Sequence, residues 1–307
     1  MRAGPKPAHD PMRPGDFKTE PKRLAPRALH LSDSTTVRFP AVMGVLNVTP
    51  DSFSDGDRYF SFDSAVRHGF ELVEQGADIV DIGGESTRPG AAEIPAEEEM
   101  RRVIPVIEHL ARRVATPISI DTRKGVVAKA AVDAGAKIIN DVSGLAFDPE
   151  IASVTAKAGC ALVLMHMRGT PRTMTELTQY RDVVEEVFDF LRTATLKAER
   201  RGVARSRIIV DPGLGFAKTT EQSFALLRAL PRLSELGYPV LIGASRKSFI
   251  RATAGRDEEN VRAGTIAINA LAVAMGASII RVHEPRQARA AIGSVQALTA
   301  GGALRYE

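Results

Sequence analysis

The sequence predicts a (β/α)8 TIM barrel, and three observations support this fold class. Short apolar runs rich in β-branched residues alternate with longer amphipathic stretches, which is the pattern of parallel βα units. We find eight such units in the 307 residues, and eight units close most simply into a barrel. The runner-up, an open doubly wound sheet, would normally show a glycine-rich dinucleotide turn after its first strand, and the sequence shows none there.

A hairpin and eight strands follow in chain order. The segment "LHLSDSTTVRF" before the first strand predicts a short N-terminal hairpin that covers the bottom of the barrel. Each strand candidate is a nearly continuous apolar run, which is typical of strands buried on both faces. The candidates are "AVMGVLNV", "DIVDIGGE", "PISIDT", "KIINDVS", "ALVLMHM", "RIIVDPG", "PVLIGAS" and "SIIRVH".

The helices between the strands show apolar stripes. In the first, Val66, Phe70 and Val73 share one face, with Asp63 as the expected N-cap and Gly76 as the end. The second stretch carries a longer stripe, made of Met100, Val103, Ile107 and Leu110.

Composition limits the function classes. With 44% hydrophobic residues, the chain can bury one large core or two small ones. A single cysteine, Cys160, excludes an internal disulfide, and no stretch has the length and apolarity of a membrane span or a secretory signal. We therefore expect a soluble cytoplasmic protein with no membrane partner.

The basic charge is confined to the start of the chain. Residues 1–27 carry seven Lys or Arg against three acids, which equals the whole net charge of +4. This segment is also rich in proline, so we predict a disordered basic tail over 1–28 and a barrel domain over 29–307. Basic and aromatic residues do not interleave, so we expect no nucleic-acid partner, although an RNA-binding role of the tail stays open.

Polar groups stand at the end of every predicted strand. Catalytic residues of such barrels lie at the C-terminal strand ends, and buried polar groups are costly unless they are paired. A bound ligand is the simplest explanation for so many of them. In chain order they are Asn47, Asp81 with Glu85, Asp121, Asn140 with Asp141, His166, Asp211, Ser245 to Lys247, and Arg281 with His283.

The chemistry of these groups indicates the kind of ligand. Arg88, Lys247, Arg281 and His283 are donors suited to an anion such as a phosphate. Asn47 offers an oxygen to the Mg²⁺ that would accompany a diphosphate. A second group, Asp121, Asn140 and Asp211, mixes donors and acceptors in a way that suits a polar heterocycle.

Structural interpretations stay open for three of the polar residues. Asp211 precedes Pro212 and is also suited to shaping a turn. His166 is equally consistent with a hydrogen-bonded core histidine, and Lys218 with a solvated residue at a helix start.

Eight motifs together resemble the dihydropteroate synthase family of folate biosynthesis. One motif falls on each predicted strand, in the family's order, and the resemblance covers about residues 29–300. The motifs are "NVTPDSFSDG", "DIGGESTRPG", "SIDT", "NDVSG", "LMHMRGTP", "DPGLGFAK", "SRKSF" and "RVHEP".

The resemblance implies an enzyme that joins a dihydropterin methyl diphosphate to p-aminobenzoate and releases pyrophosphate. It implies Mg²⁺ as cofactor, with Asn47 as its protein ligand, and a homodimer formed through outer helices. The implied catalytic residues are Arg88, Asp121, Asp211 and Lys247.

The resemblance also implies three sets of binding residues. The pterin would contact Asp121, Asn140, Met165, Asp211, Lys247 and Arg281. The diphosphate would contact Asn47, Thr87, Arg88, Arg281 and His283. The p-aminobenzoate pocket would consist of Phe53, Thr87, Arg88, Pro89, Phe216, Lys247 and Ser248.

One position departs from the family, which usually has a second glycine where this chain has Asp57. Aspartate adopts left-handed backbone angles less readily than glycine, so Asp57 bears on how this loop closes and not on the chemistry. Two other functions stay open: a non-catalytic pterin-binding paralogue, and a corrinoid-linked pterin methyltransferase, which would not need "ESTRPG" or "SRKSF".

Overall fold

The computed structural model describes residues 27–31, 34–49 and 58–299. Residues 1–26 of the predicted tail, Phe53 and Asp57 lie outside these residues, whereas Ala28, the last residue of the predicted tail, is already part of a strand. An antiparallel hairpin, β1 (Ala28–His30) and β2 (Thr36–Arg38), precedes eight parallel strands. These are β3 (Ala41–Asn47), β4 (Ile79–Gly83), β5 (Ile118–Asp121), β6 (Ile138–Asp141), β7 (Ala161–Met165), β8 (Ile208–Asp211), β9 (Leu241–Ile242) and β10 (Ile279–Val282).

The eight strands form one ring in the order β8-β7-β6-β5-β4-β3-β10-β9. The ends of this order meet, because Val210 of β8 forms a parallel bridge to Val240, the residue before β9. The backbone N–H of Val210 also donates to the carbonyl of Pro239 at 2.9 Å. The (β/α)8 barrel is therefore confirmed, and the open doubly wound sheet is excluded.

Helices surround the ring, and the two predicted apolar stripes are confirmed by burial. The stripe of α2 buries Val103, Ile107 and Leu110 completely. The helices are α1 (Arg58–Glu74), α2 (Ala96–Ala111), α3 (Gly125–Asp133), α4 (Glu150–Ala158), α5 (Val183–Arg200), α6 (Thr220–Arg228), α7 (Leu230–Ser234), α8 (Ser248–Ala254), α9 (Glu258–Ala274) and α10 (Pro285–Thr299). No helix of the described ranges has the length and apolarity needed to cross a membrane.

The prediction that Asp63 caps the first helix is wrong. Helix α1 begins at Arg58, so Asp63 lies within the helix, where its side chain is exposed. The predicted end is right, because Gly76 follows the helix with φ of 89°. Glycine adopts this left-handed angle without steric cost, which explains a helix stop at this position.

The hairpin closes the N-terminal end of the barrel, as predicted. Leu29, Leu31 and Val37 of the hairpin pack against the residues that fill the lowest layer of the barrel interior. Those interior residues include Ala41, Met43, Ile79, Ile138, Ala161, Val163, Ile209, Leu241 and Ile279.

This lowest layer also defines which side chains point inward at the opposite end. Successive residues of a strand face opposite sides, so each residue two or four positions after an interior one is also interior. Asn47 follows Met43 by four positions, and Asp211 follows Ile209 by two. The same alternation places Asp81, Asn140, Met165 and Arg281 inside.

Candidate active site

A buried network of charges lies at the centre of the C-terminal end. Arg281 donates through Nε to Asp81 Oδ2 at 2.6 Å and through Nη2 to Asp121 Oδ2 at 2.7 Å. Asn140 Nδ2 donates to the same oxygen of Asp81 at 3.1 Å. Four strands, β4, β5, β6 and β10, are thereby joined through their inward side chains.

Among the described residues, Asp121 is hydrogen-bonded to Arg281 through Oδ2 alone, which leaves Oδ1 available to a ligand. Burial raises the pKa of Asp121 to about 7, although the guanidinium of Arg281 favours the ionised form. The carboxyl of Asp81 adds to this rise. Asp121 is thus a group that gains and loses its proton near neutral pH.

Asp211 and Lys247 carry opposite charges that influence each other's pKa. Burial raises the pKa of Asp211, and the charge of Lys247 opposes this rise. Burial lowers the pKa of Lys247 to about 8, and the charge of Asp211 opposes that fall. Asp211 Oδ1 also accepts from the Gly213 N–H at 2.7 Å, so the turn interpretation of Asp211 is confirmed, while its role in ligand binding stays a prediction.

Lys218 is buried, so the interpretation of a solvated helix-start residue is wrong. Its ammonium group donates to the carbonyls of Gly213 at 3.0 Å and Phe216 at 2.9 Å, and it contacts His166 Nδ1 at 2.9 Å. His166 is a buried residue whose ring contacts Lys218, and burial holds the pKa of this ring well below its usual range. The contacts of Lys218 with His166 and with these two carbonyls fix the shape of the loop after β8.

His283 lies among cationic side chains and is uncharged. Burial lowers the pKa of His283 to about 3, and the charges of Arg281, Arg246, Arg88 and Lys247 contribute to this fall. Its Nδ1 lies 3.0 Å from the hydroxyl of Ser245. When Ser245 donates to Nδ1, the other ring nitrogen carries the proton and can donate into the site.

The floor of the site is a small apolar cluster. Met165 packs with Val142, Met167, Met174 and Ala217, and the half-buried Phe216 covers this group. The ammonium of Lys247 lies 4.5 Å from the centre of the Phe216 ring and donates to the carbonyl of Leu214 at 2.6 Å. A flat heterocycle therefore has both an apolar surface and a polar edge available.

The loop after β4 carries Thr87, Arg88 and Pro89 at the rim. Arg88 and Pro89 are exposed, while Thr87 is half-buried. Ser248 is exposed at the start of α8, immediately after Lys247. These four predicted p-aminobenzoate residues are thus more exposed than the predicted pterin residues Asp121, Asn140, Met165 and Asp211, which are all buried.

The donor set near Asn47 fits a hard cation that brings its own ligands. A Cβ built on Gly83 would lie 3.9 Å from Asn47 Oδ1 and 3.5 Å from Asp121 Cβ, so these side chains flank a common space. Within residues 27–31, 34–49 and 58–299, no group of three or more His, Cys, Asp or Glu could hold a metal. Mg²⁺ bound through one or two protein oxygens and substrate oxygens matches this arrangement.

Sequence reasoning gave no role to several charged residues that the structure places at the site. Asp81 was recognised only as a polar strand end, although two partners share its Oδ2. The buried ion pairs among Glu85, Glu99, Arg123 and Lys124 were also not predicted, and of these four residues only Glu85 was noted as a polar strand end. The available signal was the charged tripeptide "TRK" directly after a strand end, which alone does not reveal its partners.

The model of the pterin binding enzyme family matches residues 43–283. The chain belongs to this family. The match begins within β3 and ends at His283, so it spans all eight barrel strands and the site at their C-terminal ends.

Two similar proteins carry the same activity in their names. The dihydropteroate synthase of Synechocystis is 48% identical over 79% of this chain and 84% of its own length. The dihydropteroate synthase of Bacillus subtilis is 44% identical over 88% of this chain and 90% of its own length.

A solved structure agrees with the fold of this family member. The dihydropteroate synthase of Xanthomonas albilineans, determined with 4-aminobenzoic acid, superimposes with a TM-score of 0.84 at 46% identity. The superposition covers 90% of this chain and 99% of that chain.

Proposed function

We propose that this enzyme is a dihydropteroate synthase that condenses 6-hydroxymethyl-7,8-dihydropterin diphosphate with p-aminobenzoate. The products are 7,8-dihydropteroate and pyrophosphate. The observation that carries the proposal is the network of Asp81, Asp121, Asn140 and Arg281, which offers a polar edge above the floor of Met165. The similar proteins that bear this name, and the one determined with 4-aminobenzoic acid, support the same reaction.

The pterin would lie between the two charged groups. Its ring N–H donors would bind the carboxylates of Asp121 and Asp211, and Asn140 and Lys247 would complete the edge. Arg281 would contact the pterin while keeping Asp121 in place through their 2.7 Å contact. The carboxylates would stabilise the positive charge that develops in the ring as pyrophosphate leaves.

The leaving diphosphate would lie toward the cationic side of the site. Thr87, Arg88, Arg281 and His283 would donate to its oxygens. Mg²⁺, held by Asn47 and by the diphosphate itself, would neutralise part of its charge. His283 suits this role because it is uncharged without ligand and donates one N–H.

The p-aminobenzoate would bind last, above the pterin. Pro89 and Phe216 would contact its ring, Lys247 and Ser248 would lie near its carboxylate, and Phe53 would add an apolar wall. The amine attacks the methylene carbon as a neutral nucleophile, so the residues of this site need only position it and exclude water.

The decisive experiment is a coupled assay for pyrophosphate release with and without p-aminobenzoate. We expect steady release only when both substrates are present, with dihydropteroate formed in equal amount. Release that does not depend on p-aminobenzoate would contradict the synthase reaction. A protein that binds the pterin without turnover would support a paralogue, and methyl transfer to a corrinoid would support the methyltransferase.

The affinity for the pterin is expected to be highest between the pKa of Asp121 and the pKa of Lys247. Asp121 must lose its proton to accept hydrogen bonds from the pterin ring. Because its pKa is about 7, the affinity rises as the pH passes 7. Lys247 must keep its proton, and its pKa is about 8, so affinity falls above pH 8. Calorimetry with the hydroxymethyl pterin, which has no diphosphate to titrate, measures this profile.

Asp121→Asn provides the control for this pH profile. The variant has no carboxyl at position 121, so the limb near pH 7 should disappear while the limb near pH 8 persists. An unchanged acidic limb would assign that titration to another group. His283 does not titrate in this range, because its pKa is about 3.

His283→Ala is expected to lower kcat about tenfold, or roughly 1.4 kcal/mol, because it removes one donor to charge that grows on the leaving oxygen. Affinity for the hydroxymethyl pterin should hardly change. His109→Ala is the matched control, since His109 lies on α2, where it packs against Phe62 and Phe70. Equal losses of affinity for the pterins with and without diphosphate would contradict the assignment.

Assembly and location are also part of the proposal. The outer helices expose large apolar side chains at Leu271 of α9 and Leu298 of α10, which are 58% and 84% exposed. A homodimer would cover such residues. Light scattering should therefore give twice the mass of 33.0 kDa, and a monomeric mass would overturn the proposal. We place the enzyme in the cytoplasm, which cell fractionation tests.

A further inference from the structure

Two acids of the loop after β4 bind the same buried arginine. The Nη2 atom of Arg123 donates to Glu85 Oε1 at 3.0 Å and lies 3.2 Å from Glu93 Oε2. The side chain of Arg123 is only 5% exposed, whereas that of Glu93 is 50% exposed. Glu85 and Glu93 lie on either side of Thr87 and Arg88, so Arg123 brings the two ends of this loop together.

The two ends of the loop differ in how firmly they are held. Glu85 also pairs with Lys124, whose ammonium binds the fully buried Glu99 at 2.6 Å. Within the described part of the chain, Glu93 forms an ion pair with Arg123 alone. Loss of the arginine would therefore release the Glu93 end and leave the Glu85 end in place.

Arg123 is itself fixed by packing. Its guanidinium lies 4.2 Å from the centre of the Phe147 ring, which sits in the loop after β6. A planar guanidinium can stack on an aromatic face and bind carboxylates at its edge at the same time, which a lysine cannot do equally well. Through Arg123, the loop after β4 is thus held against the residues that follow β5 and β6.

This contact reaches the active site through Thr87. Thr87 and Arg123 line one small cavity of about 10 Å³, which Asp121 and Glu85 also line. A shift of the Glu93 end would therefore be transmitted over few residues to Thr87 and Arg88.

We propose that Arg123 is a positioning residue that closes residues 85–93 into a loop and thereby orients Thr87 and Arg88 toward the substrates. The inference rests on the proposed function, which gives those two side chains their roles. Arg123 contacts no substrate. It acts through the carboxylate of Glu93, because Lys124 secures Glu85 independently.

The test uses Glu93→Gln, Arg123→Gln and the double variant. Each single variant should raise KM for p-aminobenzoate about tenfold, because small displacements of positioning groups are costly in catalysis. The double variant should match the single variants, since both remove the same contact. Affinity for the hydroxymethyl pterin should stay within about twofold of the parent in calorimetry.

Arg112→Gln is the matched control. Arg112, the residue after α2, and Glu108 form an exposed ion pair with atoms 4.0 Å apart, at the C-terminal end of this helix, whereas the loop precedes its N-terminal end. Its removal should leave KM unchanged. Because Glu93 is half exposed, Glu93→Gln tests the inference even if Arg123→Gln fails to fold.

Hydrogen exchange gives a readout that does not require turnover. The amides of Gly90 and Ala91 donate to the carbonyls of Pro171 and Arg88, so their exchange reports on loop order. Both single variants should exchange faster there. Unchanged exchange, or additive effects on KM in the double variant, would overturn the role of Arg123. An inactive parent protein would refute the proposed function instead. The exchange result would still decide whether Arg123 holds the two ends of this loop together.

Discussion

Replacing Arg281 by methionine is expected to lower the free energy of unfolding by about 3–5 kcal/mol, because it leaves buried carboxylates without their cation. Arg281 contacts Asp81 at 2.6 Å and Asp121 at 2.7 Å, and the side chain of Asp81 is fully buried. Denaturant unfolding followed by circular dichroism measures the loss. Synthesis of dihydropteroate should fall with it, since both the pterin and the diphosphate lose a donor.

A second ion pair of the barrel provides the comparison. Arg289 pairs with Asp78, and these side chains are 40% and 33% exposed. Arg289→Met should therefore cost less than about 1 kcal/mol. Combining Arg281→Met with Asp81→Asn should recover part of the stability, because one unpaired charge is removed. A loss below 1 kcal/mol for Arg281→Met alone would show that the carboxylates do not depend on this cation.

Asp211→Asn is expected to weaken pterin binding by about 1.5–3 kcal/mol, or roughly 10-fold to 150-fold, because a charge-assisted hydrogen bond is lost. The variant keeps an oxygen that can accept from the Gly213 N–H, which in the parent lies 2.7 Å from Asp211 Oδ1. The turn should therefore survive, and the effect should appear in affinity. Calorimetry with the hydroxymethyl pterin measures it.

The control for Asp211→Asn is Asp133→Asn, at the exposed end of α3, where Asp133 pairs with Lys129 at 2.6 Å. This change should leave pterin affinity unaltered. The Asp211 variant should also shift the alkaline limb of the pH profile to lower pH, because the charge of Asp211 supports the protonated form of Lys247. If both the pterin affinity and the alkaline limb of the pH profile were unchanged, Asp211 would not be a pterin-binding residue.

Two lysines hold backbone carbonyls of the loop after β8. Lys218 donates hydrogen bonds to the carbonyls of Gly213 and Phe216, and Lys247 donates to the carbonyl of Leu214. Phe216 is consequently kept above the apolar floor. The two lysines look alike in sequence, yet one lies within the protein and the other borders the site.

Much of the barrel follows from the sequence because each element rests on local periodicity. Eight apolar runs, each followed by an amphipathic helix, are sufficient to predict the ring, and alternation along a strand predicts which side chains face inward. Asn47, Asp121 and Asp211 could thus be assigned to one end of one barrel. The error at Asp63 arose because a capping residue is a short-range signal and helix starts are set by several residues.

The sequence by itself determined the fold class, the family and the end of the barrel at which the inward polar side chains gather. Only the tertiary structure decided that Arg281 pairs with Asp81 and Asp121, that Lys218 is buried, and that His283 is uncharged. Ion pairing and pKa depend on burial and on distances between residues that are far apart in the chain. Local patterns contain neither quantity, because both arise when the strands close into the ring.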